Sequence, residues 1–365
     1  MPDSEERIAL TPVPTISGDW PIIPETLRIV KKIGEGGMAK VYKAIQEPLE
    51  REIALKILTV PTNDNIRRFR HESKIMASFQ HENIVGVHDM YSKNSRLFML
   101  MELVEGVDLT QILENKEPVP PVVAAGIILK VARALEYIHA RNILHRDIKP
   151  GNIIMSYHGD IKITDFGISR ELNSSDKNKD NDSSMGTPSY MSPEQLLGTE
   201  QDGRSDIYSL GIVFYRLLTG AQPFLYSSQD TLFSKIVGHL PLAPRHLLPS
   251  VPQTLEKIVM KCIAKRKEDR YRNATVLQRE LERYLSKHNP SMNFKAIFIR
   301  FLEEKSFLDS QTTNKQLKKL EECGYDISTH KSSGISWLVI LILVLFILLG
   351  CETILLFRIT GAGGF

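Results

Sequence analysis

Four side chains in this sequence have the chemistry needed to move a phosphoryl group. They are Lys56, Asp147, Asn152 and Asp165. They lie in the stretches IALK (53–56), HRDIKPGN (145–152) and DFG (165–167). Phosphoryl transfer requires a triphosphate to be neutralised, a magnesium ion to be held and the acceptor hydroxyl to be oriented. The set supplies a cation, a base and two metal ligands for these tasks.

A glycine-rich run precedes the lysine. It consists of Ile33, Gly34, Glu35, Gly36, Gly37, Met38, Ala39, Lys40 and Val41. A flexible turn between two strands can place backbone amides over phosphates. Glycine clusters are usually ordinary turns, so the significance of this run depends on Lys56 following at the right distance. A Walker-type loop is excluded, because no Gly-Lys-Ser/Thr closes the run.

The order and spacing of these motifs match the protein-kinase signature. The chain from Leu27 to about Leu285 resembles a eukaryotic-like (Hanks-type) protein serine/threonine kinase, and the style of its glycine loop favours a bacterial one. The resemblance implies an α+β fold with two lobes, a small β-rich N-lobe and a larger helical C-lobe, over residues 27–286. It also implies ATP and Mg²⁺ as cofactors and proteins as substrates.

The resemblance assigns nucleotide-binding roles in the first part of the chain. Residues 33–41 resemble the loop that covers the nucleotide, with Ala39 at its third glycine position. Lys56 resembles the lysine that contacts the α- and β-phosphates, and Glu72 is its expected partner. Backbone groups of Glu102 and Val104 are expected to bind adenine.

The resemblance also assigns the catalytic roles. Asp147 is placed to accept the proton of the substrate hydroxyl, and Lys149 can neutralise the γ-phosphate. A lysine two positions after the base is typical of serine/threonine kinases. Asn152 and Asp165 resemble the magnesium ligands.

Further matches predict supporting contacts. Glu194 is expected to pair with Arg270, and Asp206 to brace the catalytic loop. The polar stretch 173–184 falls where kinases have their activation loop. We hypothesise autophosphorylation there, at Ser174, Ser175, Ser183 or Ser184, with Arg146 binding the phosphate. The alternative is that these serines only keep a loop soluble. Thr187 is expected to position Asp147.

A catalytically silent pseudokinase scaffold is the rival interpretation of the same fold. The presence of Lys56, Asp147, Asn152 and Asp165 argues against it. Magnesium-dependent ATP turnover would separate the two functions, because the scaffold should lack it.

Composition limits the possible functions. The formal net charge is only +3, with 46 Lys and Arg against 43 Asp and Glu, so nothing indicates a nucleic-acid partner. Cys262, Cys323 and Cys351 are widely separated, which argues against a disulfide framework or structural zinc and fits a reducing cytosol.

An apolar segment near the end of the sequence predicts a transmembrane helix over residues 335–357. The uncharged run from Ser332 to Cys351 matches the roughly 20 residues that span a bilayer. The alternative, a buried core helix, is disfavoured because the kinase-like region is already complete. Lys315, Lys318, Lys319 and Lys331 precede the span and only Arg358 follows it, so the kinase should be cytoplasmic.

The remaining segments complete the predicted organisation. Residues 1–26 contain several prolines and predict an extended leader, residues 287–334 a juxtamembrane helical linker, and residues 358–365 a short external tail. Within the linker, apolar residues at helical spacing over 294–302 predict a helix. That helix could lie at a membrane surface, or pack against the kinase domain or a second copy of the chain. Self-association would favour autophosphorylation between copies.

Overall fold

The computed structural model describes residues 24–93, 96–167, 188–224, 229–288 and 293–327. It divides the chain into two compact units. The smaller runs to Phe79 and includes Gly86–Leu103, while the larger comprises Gln80–Val85 and the chain from Val104 onward. The predicted leader up to residue 23, the activation-loop serines, Thr187, the predicted span and the tail lie outside the described residues.

The smaller unit is an antiparallel five-stranded sheet with one helix. Its elements are β1 (Leu27–Glu35), β2 (Ala39–Gln46), β3 (Arg51–Leu58), α1 (Asn63–Ala77), β4 (Val87–Lys93) and β5 (Arg96–Glu102). The strand order is β1-β2-β3-β5-β4, so β3 is central. Thr62 begins α1 as its N-cap, because its side chain accepts a hydrogen bond from the amide of Asn65.

Strand β3 divides its side chains between the two faces of this sheet. Ile53, Leu55 and Ile57 belong to one hydrophobic cluster with Phe98 of β5. Because successive side chains of a strand point to opposite faces, Lys56 lies on the other face, where α1 packs. The burial of Ile53, Leu55 and Ile57 on one face therefore fixes which way Lys56 points.

The larger unit is mainly helical. Its strands are β6 (Gly106–Asp108), β7 (Ile153–Ser156) and β8 (Ile161–Ile163), which pair in that order. Its helices are α2 (Leu109–Ile112), α3 (Pro121–His139), α4 (Pro193–Leu197), α5 (Gly203–Thr219), α6 (Gln229–Gly238), α7 (Pro244–Leu247), α8 (Gln253–Cys262), α9 (Ala274–His288), α10 (Phe294–Glu304) and α11 (Ser310–Glu322).

Helices α3 and α5 form the centre of this unit. Helix α3 starts with Pro121 at its first position, where the missing N–H costs nothing, and packs against α5 and α9. Helix α5 is capped at its start by the Asp202 side chain. It ends at Gly220, whose φ of 72° is the left-handed conformation that stops a helix. Both helices are buried along most of their length, as a core position demands.

Helix α10 packs against α3 of the same unit. Asn293 caps it by accepting hydrogen bonds from the amides of Lys295 and Ala296. Its apolar face is covered, and Phe298 and Leu302 are fully buried. Among the alternatives left open by the spacing of 294–302, the structure therefore shows packing against the kinase-like unit.

The predicted strand-rich and helix-rich units are confirmed, as is the single helix carrying Glu72. No helix within the described ranges combines the length and hydrophobicity needed to cross a bilayer. The segment predicted to do so, residues 335–357, is not among those ranges and stays a prediction.

Candidate active site

The smaller unit joins Lys56 to Glu72 as the sequence predicted. Lys56 Nζ donates a hydrogen bond of 2.8 Å to Glu72 Oε1, and both side chains are buried. Strand β3 supplies the lysine and α1 the glutamate. Kinases require this pair to be closed for activity, because it holds the lysine toward the α- and β-phosphates.

The glycine-rich run forms the hairpin between β1 and β2. Gly34 pairs with Val41, and the amide of Gly36 donates to the carbonyl of Ala39 at 2.9 Å. The two strands include Ile33, Glu35 and Lys40, and residues 36–38, including Gly37 and Met38, make the connection. The carbonyl of Met38 accepts from the amide of Thr59, which ties the turn to the end of β3.

The residues predicted to bind adenine lie at the end of the sheet and beyond it. Glu102 is the last residue of β5, and its amide donates to the carbonyl of Gly86 at 2.8 Å. Val104 follows in the irregular segment before β6.

The larger unit builds the catalytic loop on a buried carboxylate. Asp206, in the first turn of α5, accepts hydrogen bonds from the amides of His145 (2.9 Å) and Arg146 (2.8 Å). His139, at the end of α3, contacts the same carboxylate at 2.8 Å. The predicted bracing role of Asp206 is confirmed.

The pKa of Asp206 is lower than usual, despite its burial. Burial acts to raise this pKa, but the hydrogen bond and charge of His139, and the loop amides, outweigh it. Burial has the opposite effect on His145, whose pKa it lowers. Asp206 therefore stays ionised and holds the loop, while the His145 imidazole is neutral at physiological pH.

Asp147 lies at the centre of the predicted catalytic residues. Its Oδ2 accepts hydrogen bonds from Lys149 Nζ at 2.8 Å and from Asn152 Nδ2 at 3.0 Å. The Asn152 amide also donates to the backbone carbonyls of Asp147 (2.8 Å) and Asp165 (3.3 Å). The structure thus brings four predicted residues, Asp147, Lys149, Asn152 and Asp165, into one network.

Two backbone positions at this site are strained. Arg146 has φ of 63° and Asp165 has φ of 53°, in the left-handed region that side chains with a Cβ disfavour. Such outliers cluster at functional sites when the surrounding contacts impose them. Gly167 packs so closely that a methyl group added to it would lie 2.9 Å from Asp147 Cβ.

The donor set of Asn152 and Asp165 fits a magnesium ion. The hydrogen bonds of Asn152 use its NH₂ group, which leaves the amide oxygen for a cation, and Asp165 contributes a carboxylate. Mg²⁺ prefers such oxygen ligands and is usually held by one or two of them together with substrate phosphates. In the part of the chain that is described, no three His, Cys, Asp or Glu side chains form an all-protein metal cage.

The second predicted ion pair is also confirmed. Arg270 Nη1 and Nη2 donate to the two carboxylate oxygens of Glu194 at 2.6 and 2.9 Å. Ser205 donates to the same carboxylate. The pair fixes Glu194 in the first turn of α4.

Two contacts were not predicted from the sequence. Gln195 of α4 donates to the carbonyl of Arg146 at 3.1 Å, and with Tyr190 it lines a shallow depression beside Asp147. His139 reaches Asp206 across 67 positions of sequence. Both contacts join elements that are distant along the chain, and neither residue stands in a local pattern that could have indicated its partner.

A sheet unit with a buried Lys–Glu pair, together with a helical unit carrying this catalytic network, defines the class of protein kinase domains. The chain belongs to that family, because residues 27–281 match the protein kinase domain. The family prediction is confirmed, and membership implies the use of ATP and a divalent metal ion.

The domain is similar to curated serine/threonine protein kinases from several bacteria. The serine/threonine-protein kinase PrkC of Bacillus subtilis is 39% identical over 258 residues, covering 70% of this chain and 40% of its own length. A probable serine/threonine-protein kinase of Clostridium perfringens is 37% identical over 278 residues, covering 75% and 40%. PknB of Mycobacterium leprae is 34% identical over 265 residues, covering 71% and 43%. The matched region spans about 40% of the length of these relatives.

Proposed function

We propose that this protein is a serine/threonine protein kinase that transfers the γ-phosphate of ATP to hydroxyl groups of proteins. The observation that carries the proposal is the hydrogen bonding of Asp147, whose carboxylate is held by Lys149 and Asn152. A catalytically silent scaffold does not require a carboxylate held in a fixed position beside two oxygen ligands for a metal.

The chemistry follows from this arrangement. The oxygen of a substrate serine or threonine attacks the γ-phosphorus while the bond from that phosphorus to the leaving oxygen of ADP breaks. Asp147 accepts the hydroxyl proton, and Lys149 balances negative charge on the transferred group. Mg²⁺, held by Asn152 and Asp165, would neutralise charge on the phosphates. Lys56, fixed by Glu72, would orient the α- and β-phosphates.

The decisive experiment compares the full chain with its Asp147→Asn variant. Each is incubated with labelled ATP, Mg²⁺ and a generic protein acceptor, and phosphorylated residues are mapped by mass spectrometry. Removing a general base typically lowers the rate by about 10²–10⁴-fold. We expect label on Ser or Thr that falls by this factor in the variant. No label with the folded wild-type chain would favour the silent scaffold.

The proposal extends to the activation loop. Residues 173–184 carry four serines, and Arg146 directly precedes the catalytic aspartate in the sequence. A phosphate on this loop could accept charge-assisted hydrogen bonds from Arg146. Phosphopeptide mapping should find modified serines there, and a bare loop in fully active enzyme would contradict this part of the proposal.

Membrane anchoring through residues 335–357 is also part of the proposal, and it rests on the uncharged run in the sequence. The full chain should then sediment with membranes and require detergent for extraction, with its kinase domain on the cytoplasmic side. Deleting residues 332–365 should release it. Release of the full chain by high salt alone would contradict the anchor.

A further inference from the structure

The family match ends at residue 281, but the packed structure of the larger unit continues for more than forty residues. The C-terminal helix pair, defined as α10, α11 and their connection (residues 293–325), buries an apolar face. Ala296, Phe298, Ile299, Phe301 and Leu302 are each at most 2% exposed. The helix pair is therefore an integral, packed part of the larger unit.

One contact of the C-terminal helix pair is with the middle of α3. A methyl group added to Gly126 would lie 2.7 Å from ring atoms of Phe294 and 3.1 Å from the ring of Phe298. Glycine in a helix interior costs roughly 1 kcal/mol relative to alanine. The close approach of α10 explains this glycine, because an added methyl group would force the Phe294 ring to move.

A second contact is with the closed end of the β7–β8 hairpin. Lys295 Nζ pairs with Asp160 Oδ1 at 2.8 Å, and Gln316 of α11 contacts His158 at 2.8 Å. Gly159, with φ of +78°, lies so close that an added methyl group would overlap the Lys295 carbonyl oxygen. The backbone of α10 at Lys295 therefore packs directly on the backbone of the hairpin turn at Gly159.

The open end of the same hairpin carries the predicted metal ligands. Asn152 directly precedes β7, and Asp165 follows β8 by two residues. The strands are paired along their length, and the amide of Thr164 donates to the carbonyl of Asn152 at 3.0 Å. At about 3.3 Å per residue, the four residues of β7 place the turn only about 13 Å from the ligands.

We propose that the C-terminal helix pair is a positioning element for the metal–nucleotide site. By fixing the closed end of the β7–β8 hairpin, it sets the spacing of Asn152 and Asp165 at the open end. The inference rests on one part of the proposed function, the assignment of the metal to these two ligands, and not on phosphoryl transfer.

The test uses two variants of the full chain that act on the helix pair from different sides. Gly126→Ala pushes Phe294 away from α3, although it favours the helix itself. Lys295→Ala removes the ion pair with Asp160. Hydrogen exchange of residues 153–165 is measured without nucleotide, and ATP binding is titrated with Mg²⁺.

Each variant has a matched control. Adding Phe294→Ala to Gly126→Ala removes the two shortest contacts of the new methyl group, those with the Phe294 ring, and should restore part of the exchange protection. Lys305→Ala removes another lysine–carboxylate pair, which joins the C-cap of α10 to Glu117 at the end of the helix opposite Lys295. It should leave the hairpin and the magnesium dependence unchanged.

We expect faster exchange in the hairpin for both test variants and a Mg²⁺ midpoint raised by roughly tenfold, the lower end of the loss seen when groups that orient metal ligands are removed. A purely structural role would instead reduce the number of binding-competent molecules without moving the midpoint. A Mg²⁺ midpoint that moves in neither variant would overturn the inference, whether or not the hairpin exchange changes. ATP binding without phosphoryl transfer would overturn the proposed function and leave this inference standing.

Discussion

Glu194 and Arg270 form an ion pair in which the arginine side chain is fully buried. Replacing Glu194 by Gln keeps the shape but leaves the guanidinium charge uncompensated. Breaking a buried pair in this way costs about 3–5 kcal/mol. We expect Glu194→Gln to lower the free energy of unfolding by that amount in urea denaturation at neutral pH.

The control for this prediction is Asp64→Asn. Asp64 pairs with Arg67 at 2.9 Å, but both side chains are more than half exposed. Exposed pairs contribute roughly 0–1 kcal/mol, so this variant should remain within that range. Equal losses of unfolding free energy in the two variants would show that burial does not increase the stabilisation that the Glu194–Arg270 pair provides.

The same pair predicts a pH dependence. Burial acts to raise the pKa of Glu194, but hydrogen bonds from Arg270 and Ser205 hold it below its ordinary value of 4.5. The carboxylate is more acidic in the folded chain, so its stabilisation is complete above about pH 4.5 and is lost as the pH falls through the folded value. The stability difference between wild type and Glu194→Gln should therefore shrink below pH 4.5. A difference that stays constant from pH 7 to pH 3 would contradict this assignment.

At the scale of elements, a glycine in the turn of the β7–β8 hairpin can be compared with a glycine that follows α11. Gly159 and Gly324 have φ of +78° and +82°, but only Gly159 has neighbours within 4 Å of an added methyl group. Alanine in this left-handed conformation costs about 1–2 kcal/mol at either site. Gly159→Ala should cost about 1–3 kcal/mol more, because overpacking adds to the conformational penalty.

Urea denaturation of the two variants measures this difference. Equal midpoints for Gly159→Ala and Gly324→Ala would mean that Lys295 moves away at no cost. That result would show the contact between α10 and the hairpin to be loose.

The sequence predicted the motif residues of these elements but not the surfaces on which the elements pack. Motif spacing located the glycine loop, Lys56, Asp147 and Asp165, because each stands in a short pattern that a known chemistry demands. The apolar spacing of 294–302 predicted a helix, but an apolar stripe does not tell which surface covers it. Gly126 lies in the middle of a helical pattern with nothing local to show that Phe294 packs on it.

Contacts between distant elements were predicted only where the family resemblance supplied them. Glu194 and Arg270 are 76 positions apart, and the resemblance named them as a pair. Gln195 and Arg146 are 49 positions apart and were missed. A side chain's type limits what it can bind, whereas the fold alone decides which partner comes within 3 Å.

For the whole molecule, the C-terminal helix pair determines where the folded chain can be cut. Phe298 and Phe301 are buried, and each such side chain contributes about 1.5–3 kcal/mol. Deleting residues 293–365 should therefore cost at least about 3 kcal/mol, or roughly 6–12 °C in Tm. Deleting only residues 328–365 should leave Tm unchanged.

Thermal unfolding of the two truncated chains, followed by circular dichroism, compares them directly. If both deletions lowered Tm equally, the stabilisation would come from residues beyond 327. If neither did, the apolar face of α10 would add nothing to the larger unit.

The left-handed backbone at Arg146 and Asp165 has a consequence for attempts to improve this protein by selection. Glycine is the residue that tolerates such φ values without penalty, so Arg146→Gly or Asp165→Gly relieves conformational energy that the wild-type chain retains. A screen that rewards heat resistance alone will favour these changes, and the chains that carry Asp165→Gly will lack a predicted magnesium ligand. Directed evolution of this protein must therefore select for phosphoryl transfer and for thermal stability in the same round.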